Sequence, residues 1–115
     1  MTRRMSCALT TPQVRDRIKT ETRRDPATWV NLKPGDHLTL IEKGMGLKKG
    51  EKQVVLAEVI VVSNTLERLS DITTHGTMRE GFPGWKPEQF ISFYLREKGG
   101  DRGQMVRVIR WEYLT

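Results

Sequence analysis

Apolar residues in this chain fall into short runs, most of which alternate with polar residues at the two-residue period of a β-strand. Residues 53–63 form the longest run and are rich in valine on both faces, which is typical of a central strand covered on both sides. Residues 105–113 alternate well enough for a closing strand. The predicted strands are residues 5–9, 37–42, 53–63 and 105–113.

Helical spacing is clearest near the end of the chain. Phe90, Ile91, Tyr94 and Leu95 form one apolar face over residues 87–98. Two glycines follow directly and supply a stop signal. This pattern predicts a helix that packs one face against the rest of the protein.

Two shorter segments complete the predicted elements. Pro12 supplies a start signal for a short helix over residues 12–18, in which Val14 and Ile18 are expected to face inward. Residues 64–74 are polar and are predicted to be partly helical. Few strands and short helices together predict an α+β fold, a small mixed sheet closed into a barrel with helices at its ends.

Length and composition restrict the class of protein. The chain has 115 residues, of which 37% are hydrophobic and 30% charged, which is typical of one globular domain. We expect a single domain over residues 1–115, with residues 1–4 flexible. No apolar run approaches the ~20 residues of a membrane helix, and no signal peptide is recognisable. We therefore expect a cytoplasmic protein with no membrane partner, and we expect Cys7, the only cysteine, to be a small buried side chain.

Residues 18–24 are the most unusual polar stretch, because they place three cations and two hydroxyl groups in seven residues. Lysine and arginine beside threonine suit a phosphate, a nucleobase edge or a polarised carbonyl. Lys19, Thr20, Arg23 and Arg24 are the candidate ligand-binding residues of this stretch. The alternative is a solvated, charged link between a helix and a loop.

Positive charge is concentrated near the start of the chain. Residues 1–24 contain seven cations and two anions, whereas residues 25–115 contain thirteen cations and twelve anions. A second focus of four lysines lies in the glycine-rich segment 43–52, which is predicted to be a flexible loop. Concentrated cations attract polyanions, and nucleic acid is the commonest of these. The alternative is a charged surface without a partner.

Other candidate chemistry is sparse. Trp85 follows a proline-glycine turn at a loop–helix junction and is the best candidate to stack on a base, with core packing as the alternative. His37 and His75 are isolated, and a single cysteine cannot complete a zinc site. We therefore expect no metal and no cofactor.

Four segments, taken in their order, make the chain resemble the ASCH domain, a member of the PUA-like superfamily of small β-barrels. The segments are residues 18–24, residues 34–38, residues 69–73 leading to 79–82, and residues 106–111. The family usually has a glycine immediately before the motif lysine, where this chain has Ile18. The resemblance implies a cleft between barrel and helices that the first motif lines, RNA-related roles, and a phage or bacterial source.

Some small ASCH proteins are amidohydrolases that act on acetylated cytidine, and the resemblance places the corresponding catalytic set on Lys19, Thr22 and Glu80. Thr22 would be the nucleophile, Lys19 would activate it or hold the developing oxyanion, and Glu80 would orient the lysine or shuttle a proton. The structural alternative is a salt bridge between Lys19 and Glu80, with Thr22 as a backbone cap.

Three function classes therefore stay open. The first is a module that binds RNA, single-stranded nucleic acid or a modified nucleoside through a basic cleft. The second is an amidohydrolase on acetylated cytidine nucleosides, and the third is a protein-interaction or regulatory domain that uses the barrel as a scaffold.

Overall fold

A five-stranded mixed sheet with three short helices makes up the computed structural model, which describes residues 3–44 and 48–114. The predicted α+β class is confirmed. The strands are β1 (Arg3–Ser6), β2 (Glu21–Arg24), β3 (His37–Ile41), β4 (Val55–Arg68) and β5 (Met105–Tyr113), and the helices are α1 (Thr11–Arg15), α2 (Thr74–Arg79) and α3 (Pro87–Lys98).

The sheet is an open half-barrel. Its strand order is β1-β3-β4-β5-β2, in which β1 runs parallel to β3 and the other neighbours are antiparallel. β1 and β2 are therefore the two edges. The side chain of Arg24 on β2 joins them by donating from Nη2 to the carbonyl oxygen of Ser6 at the end of β1, at 2.6 Å. One side chain thus bridges edges that no backbone ladder connects.

β4 is longer than the sequence pattern predicts. It continues to Arg68, so residues 64–68 of the segment predicted to be partly helical are strand, whereas Leu69–Asp71 forms a single 3₁₀ turn and α2 begins at Thr74. Pairing with β5 carries the strand on, from Val59 opposite Tyr113 to Arg68 opposite Met105, with a bulge between Val61 and Ser63. The antiparallel ladder with β5 overrides the weak strand preference of a polar segment.

Two hydrophobic clusters stabilise the fold. The first lies within the half-barrel and the second between the sheet and α3. The first contains Met5, Cys7, Val14, Leu32, Leu38, Leu40, Leu56, Ala57, Val59, Val61, Ile109 and Trp111. The second contains Leu69, Ile72, Phe90, Ile91, Tyr94, Val106 and Val108.

Two expectations near the start of the chain need correction. α1 ends at Arg15, and Ile18 is 42% exposed instead of facing inward, because the chain turns at Arg17 with a φ of 61°. Of residues 1–4, which were predicted to be flexible, Arg3 and Arg4 belong to β1, and residues 1 and 2 lie outside the described residues. Of the predicted flexible loop 43–52, residues 45–47 lie outside the described residues.

Within residues 3–44 and 48–114, none of the helices is long and apolar enough to cross a membrane.

Candidate functional site

A pocket of about 190 Å³ lies where the two edge strands of the half-barrel meet helix α3. The pocket is lined by Cys7 from the first hydrophobic cluster and by Phe90 and Tyr94 from the second. It therefore lies at the junction of the two clusters. The lining residues are Ser6, Cys7, Ala8, Leu9, Thr10, Lys19, Thr22, Arg23, Arg24, Glu80, Phe90, Phe93, Tyr94, Glu97 and Lys98.

Lys19 and Glu80 form a buried ion pair in the pocket wall. Lys19 Nζ lies 2.6 Å from Glu80 Oε1 and 3.0 Å from the carbonyl oxygen of the same residue. The carbonyl oxygen of Lys19 in turn accepts hydrogen bonds from Trp111 Nε1, at 3.2 Å, and from the hydroxyl of Tyr113. These aromatic donors on β5 hold the backbone at Lys19, because the turn before it has no regular secondary structure.

Arg23 is surrounded by carboxylates. Its guanidinium lies 2.6 Å from Glu21 Oε2 and 3.1 Å from both Glu80 Oε2 and Glu67 Oε2. Burial lowers the pKa of Arg23, but Glu80, Glu21 and Glu67 together outweigh it and hold that pKa above its ordinary value. Most of the charge of Arg23 is therefore neutralised inside the protein, and little is available for a phosphate.

Glu21 extends this network to the neighbouring elements. Its Oε1 lies 3.3 Å from Arg79 Nε on α2 and 3.5 Å from Arg110 Nε on β5. The buried part of this ion-pair network contains two cations, Lys19 and Arg23, and two carboxylates, Glu21 and Glu80. Neither Glu21 nor Glu67 was predicted from the sequence as a site residue. One signal was present, because Glu21 and Arg23 are two residues apart and so point to one face of a strand.

Thr22 lies on β2 and is 4% exposed. Its hydroxyl oxygen accepts a hydrogen bond from Arg24 Nε at 3.2 Å, so it makes no backbone cap. Thr20 does not line the pocket, and its backbone N–H donates to the carbonyl oxygen of Arg79 at 2.7 Å. The residues Lys19, Thr22, Arg23, Arg24 and Glu80 thus share one pocket wall, whereas Thr20 connects β2 to α2.

Helix α3 supplies the opposite wall. Its apolar stripe was predicted only as a core contact, yet Phe90, Phe93 and Tyr94 also face the pocket. Burial raises the pKa of the Tyr94 hydroxyl, and the charges of Asp25 and Glu80 add to this. The tyrosine is therefore a neutral hydrogen-bonding group at neutral pH.

Gly81, next to Glu80, packs closely against Gln13 and Lys19. It has a φ of +107°, and a Cβ added there would lie 2.7 Å from Gln13 Cβ and 3.4 Å from Lys19 Cβ. We expect Gly81→Ala to lower the free energy of unfolding by about 2 kcal/mol or more, since it combines backbone strain with overpacking. Denaturant unfolding measures the loss.

Gly84→Ala is the matched control, because Gly84 has a φ of +88° with no atom within 4 Å of an added Cβ. It carries the backbone strain without the collision. Equal losses in the two variants would contradict a role for close packing at Gly81.

Two solved structures resemble this fold over nearly the whole chain. One is the crystal structure of a protein from Enterococcus faecalis, of the family DUF984, which matches with a TM-score of 0.65 and 12% sequence identity. The matched region covers 98% of this chain and 79% of the Enterococcus faecalis chain. The other is the crystal structure of an ASCH domain from Lactobacillus crispatus, which matches with a TM-score of 0.61 and 10% sequence identity. The matched region covers 97% of this chain and 79% of the Lactobacillus crispatus chain. The chain has an ASCH-like fold. No family model matches the sequence, and no curated protein matches it either.

Within the ASCH-like fold, Trp85 lies away from the pocket. It stacks on Phe82 with ring centroids 4.1 Å apart and meets Phe93 edge-on at 5.8 Å. A separate surface depression begins at Trp85 and continues along α3 to Arg96. The tryptophan is thus half-buried beside the second hydrophobic cluster, and Phe93 is the residue that it shares with the pocket wall.

Cys7 is buried, as expected. It is 2% exposed, and burial raises the pKa of its thiol despite the nearby charges of Lys19 and Arg24. The thiol is therefore protonated at neutral pH and is a poor nucleophile. No group of three or more His, Cys, Asp or Glu side chains in the described part of the chain could hold a metal ion.

The basic start of the chain is partly neutralised internally. Lys19 and Arg23 are buried in ion pairs, and Arg15 lies 3.3 Å from Glu42. The cations of residues 1–24 that lie on exposed positions are Arg3, Arg4, Arg15 and Arg17. Fewer charges than the sequence suggests can therefore reach a polyanion.

Proposed function

We propose that this protein binds a single nucleoside unit, either within RNA or as a free modified nucleoside, in the pocket between β1, β2 and α3. The observation that carries the proposal is the composition of the pocket wall. It combines three aromatic side chains from one helix with four cations and two carboxylates, in about 190 Å³. An aromatic wall suits the face of a base, and the charged groups suit its polar edge.

The size of the pocket favours one base over a longer segment. Pockets for drug-sized ligands occupy roughly 300–1,000 Å³, and this one is smaller. Proteins that read RNA commonly splay out an unpaired base and stack it on aromatic side chains. The ASCH-like fold supports this proposal, as does the exposed lysine Lys98 at the end of α3, which lines the pocket and could contact a phosphate.

Binding of a single-stranded RNA should weaken as salt rises, by ~0.7 log units per phosphate contact for each tenfold change in salt concentration. Lys98→Gln should remove roughly one phosphate contact and so reduce that slope by ~0.7. Fluorescence anisotropy with a labelled oligonucleotide at several salt concentrations measures both quantities.

Lys33→Gln is the matched control, since Lys33 is exposed but does not line the pocket. It should leave the slope unchanged. Salt-independent affinity, or equal effects of the two substitutions, would contradict phosphate contact at the pocket mouth. A protein that binds no oligonucleotide and no nucleoside at low salt would favour the protein-interaction alternative.

Amidohydrolase activity on an acetylated cytidine nucleoside is the second candidate function. It is favoured by one specific observation, the presence of Lys19, Thr22 and Glu80 in the same pocket wall with Lys19 Nζ 2.6 Å from Glu80 Oε1. Nucleophilic catalysis needs a hydroxyl, a proton acceptor and a donor for the oxyanion within one site.

These groups would act in the following order. Thr22 Oγ1 attacks the acyl carbonyl and gives up its proton, with Lys19 and Glu80 as the candidate proton carriers, while the donors around it hold the developing oxyanion. The C–N bond then breaks, the amine leaves with that proton, and water hydrolyses the acyl-threonine ester. Arg24 Nε, 3.2 Å from Thr22 Oγ1, would stabilise negative charge on that oxygen.

A further inference from the structure

The pocket has an excess of hydrogen-bond donors. An ammonium group has three N–H donors, and among the described residues those of Lys19 have two partners, both on Glu80. The Thr22 hydroxyl accepts from Arg24, and no described residue accepts its proton. Each of these two pocket residues therefore has a hydrogen left to donate.

Arg23 and Tyr94 add two further donors. Arg23 Nε is buried and has no hydrogen-bond partner among the described residues, although the residue is only 6% exposed. The Tyr94 hydroxyl has no hydrogen bond within the described part of the chain either, but unlike Arg23 Nε it is not a fully buried atom. Buried donors without acceptors are rare in folded proteins, so Arg23 Nε calls for a partner such as a water or a ligand, and the Tyr94 hydroxyl is free to donate to the same partner.

The buried carboxylate of the same wall, Glu80, is already engaged. Glu80 gives one carboxylate oxygen to Lys19 and the other to Arg23. Glu97 is the other carboxylate among the lining residues, and it lies at the exposed end of α3, 3.8 Å from Arg96. Glu21, Glu67 and Glu80 neutralise Arg23, whereas Arg24 donates to the Thr22 hydroxyl and to the carbonyl oxygen of Ser6, and no carboxylate among the described residues pairs with it.

We propose that the inner end of the pocket receives a carboxylate carried by the ligand. This inference rests on the proposed function and makes its ligand more specific, as a pyrimidine nucleoside that bears a carboxylate on or near the ring. A carboxylate has two oxygens, no proton to donate and a negative charge, and so it matches the four available donors and the charge of Arg24 beside them. A ligand amino group would face donors and cations there, and its own N–H groups would lose their water without gaining acceptors.

Matched ligands test this inference directly. The probes are 5-carboxyuridine and orotidine, which carry the carboxylate at different ring positions, together with the carboxamide of each and unmodified uridine. The better of the two acids should bind at least about tenfold more tightly than its carboxamide, since a charged acceptor replaces a group that brings N–H donors. Calorimetry measures affinity, and amide chemical shifts of Lys19, Thr22 and Arg24 report whether the ligand occupies the pocket.

Two threonine variants connect the preference to the pocket. Thr22→Val removes one donor with little change of shape and should reduce the ratio of acid to carboxamide affinity. Thr65→Val, at an exposed position on β4, should leave that ratio unchanged. Tyr94→Phe should act in the same direction as Thr22→Val.

The outcomes separate this inference from the proposed function. If uridine or the carboxamides bind as tightly as the acids and shift the pocket amides, nucleoside binding holds and the carboxylate preference is wrong. If acid and carboxamide differ but Thr22→Val and Tyr94→Phe leave the ratio unchanged, the donors named here do not set the preference, and the inference is also wrong. If none of the nucleosides binds, both the proposed function and this inference are overturned.

Discussion

Glu80→Gln should be among the most destabilising single substitutions in this protein. It would leave Lys19 and Arg23, both almost fully buried, without the carboxylate that they share at 2.6 and 3.1 Å. Breaking a buried ion pair by removing one partner typically costs about 3–5 kcal/mol, because the remaining charge stays desolvated. For a domain of this size that is a large fraction of the total stability. Urea unfolding at neutral pH measures the loss, and a thermal melt should fall by more than about 10 °C.

Glu88→Gln supplies the matched control. Glu88 accepts two hydrogen bonds from Arg102, at 2.6 and 2.8 Å, which is as close a contact as the buried pair makes. It lies on the exposed surface, where solvent screens the interaction, so its loss should be far smaller. Similar losses in Glu80→Gln and Glu88→Gln would show that burial does not set the strength of the Lys19–Glu80 contact.

A double-mutant cycle then measures how strongly the two residues depend on each other. Lys19→Met combined with Glu80→Gln removes both charges of the pair and should cost less than the sum of the two single substitutions, because neither partner is then left alone. Additive losses would mean that Lys19 and Glu80 stabilise the fold through separate contacts. Arg23 would in that case be the main partner of Glu80.

Much of the fold could be predicted from local patterns. Helix α3 and strand β5 lie where the apolar positions place them, because each packs one regular face on a hydrophobic cluster. The second half of β4 and the whole of β2 could not be predicted in this way. Their buried positions are occupied by charged and polar residues whose partners lie elsewhere in the chain, such as Arg23 and Glu67. A polar residue buried by an ion pair has no signature in a hydrophobic pattern.

The residues of the candidate site also differ in how well the sequence predicts them. The polar stretch that contains Lys19 and Thr22 is visible in the sequence, but Glu80 is 61 residues away from Lys19 along the chain. Only the resemblance to the ASCH domain suggested that they belong together. The role of the α3 aromatic residues in the pocket could not be predicted for a different reason. Residues that line a pocket and residues that pack a core share the same helical period. Phe90 and Tyr94 do both.

Lys19→Arg is expected to separate binding from catalysis. Arginine keeps the positive charge beside Glu80 but practically never loses its proton, whereas a lysine can. If the pocket only binds, nucleoside affinity should persist, because the positive charge beside Glu80 is kept. If Lys19 serves as the base that activates Thr22, hydrolysis of acetylated cytidine should fall by roughly 100- to 10,000-fold, which is the usual contribution of general-base catalysis. Calorimetry and a chromatographic assay of released cytidine measure the two quantities on the same preparations.

Arginine is larger than lysine, so a loss of function has to be distinguished from a loss of packing at this buried position. A thermal melt close to that of the parent protein excludes unfolding, and Lys98→Arg, the same substitution at an exposed lining residue, should leave both binding and hydrolysis nearly unchanged. Thr22→Ser keeps a hydroxyl nucleophile and should retain part of the hydrolysis, whereas Thr22→Val should abolish it. If Lys19→Arg hydrolyses acetylated cytidine as fast as the parent, Lys19 is not the base. If the parent protein binds nucleosides but hydrolyses none of them, the pocket is a binding site, and the Lys19–Glu80 pair shapes its wall without catalysing a reaction.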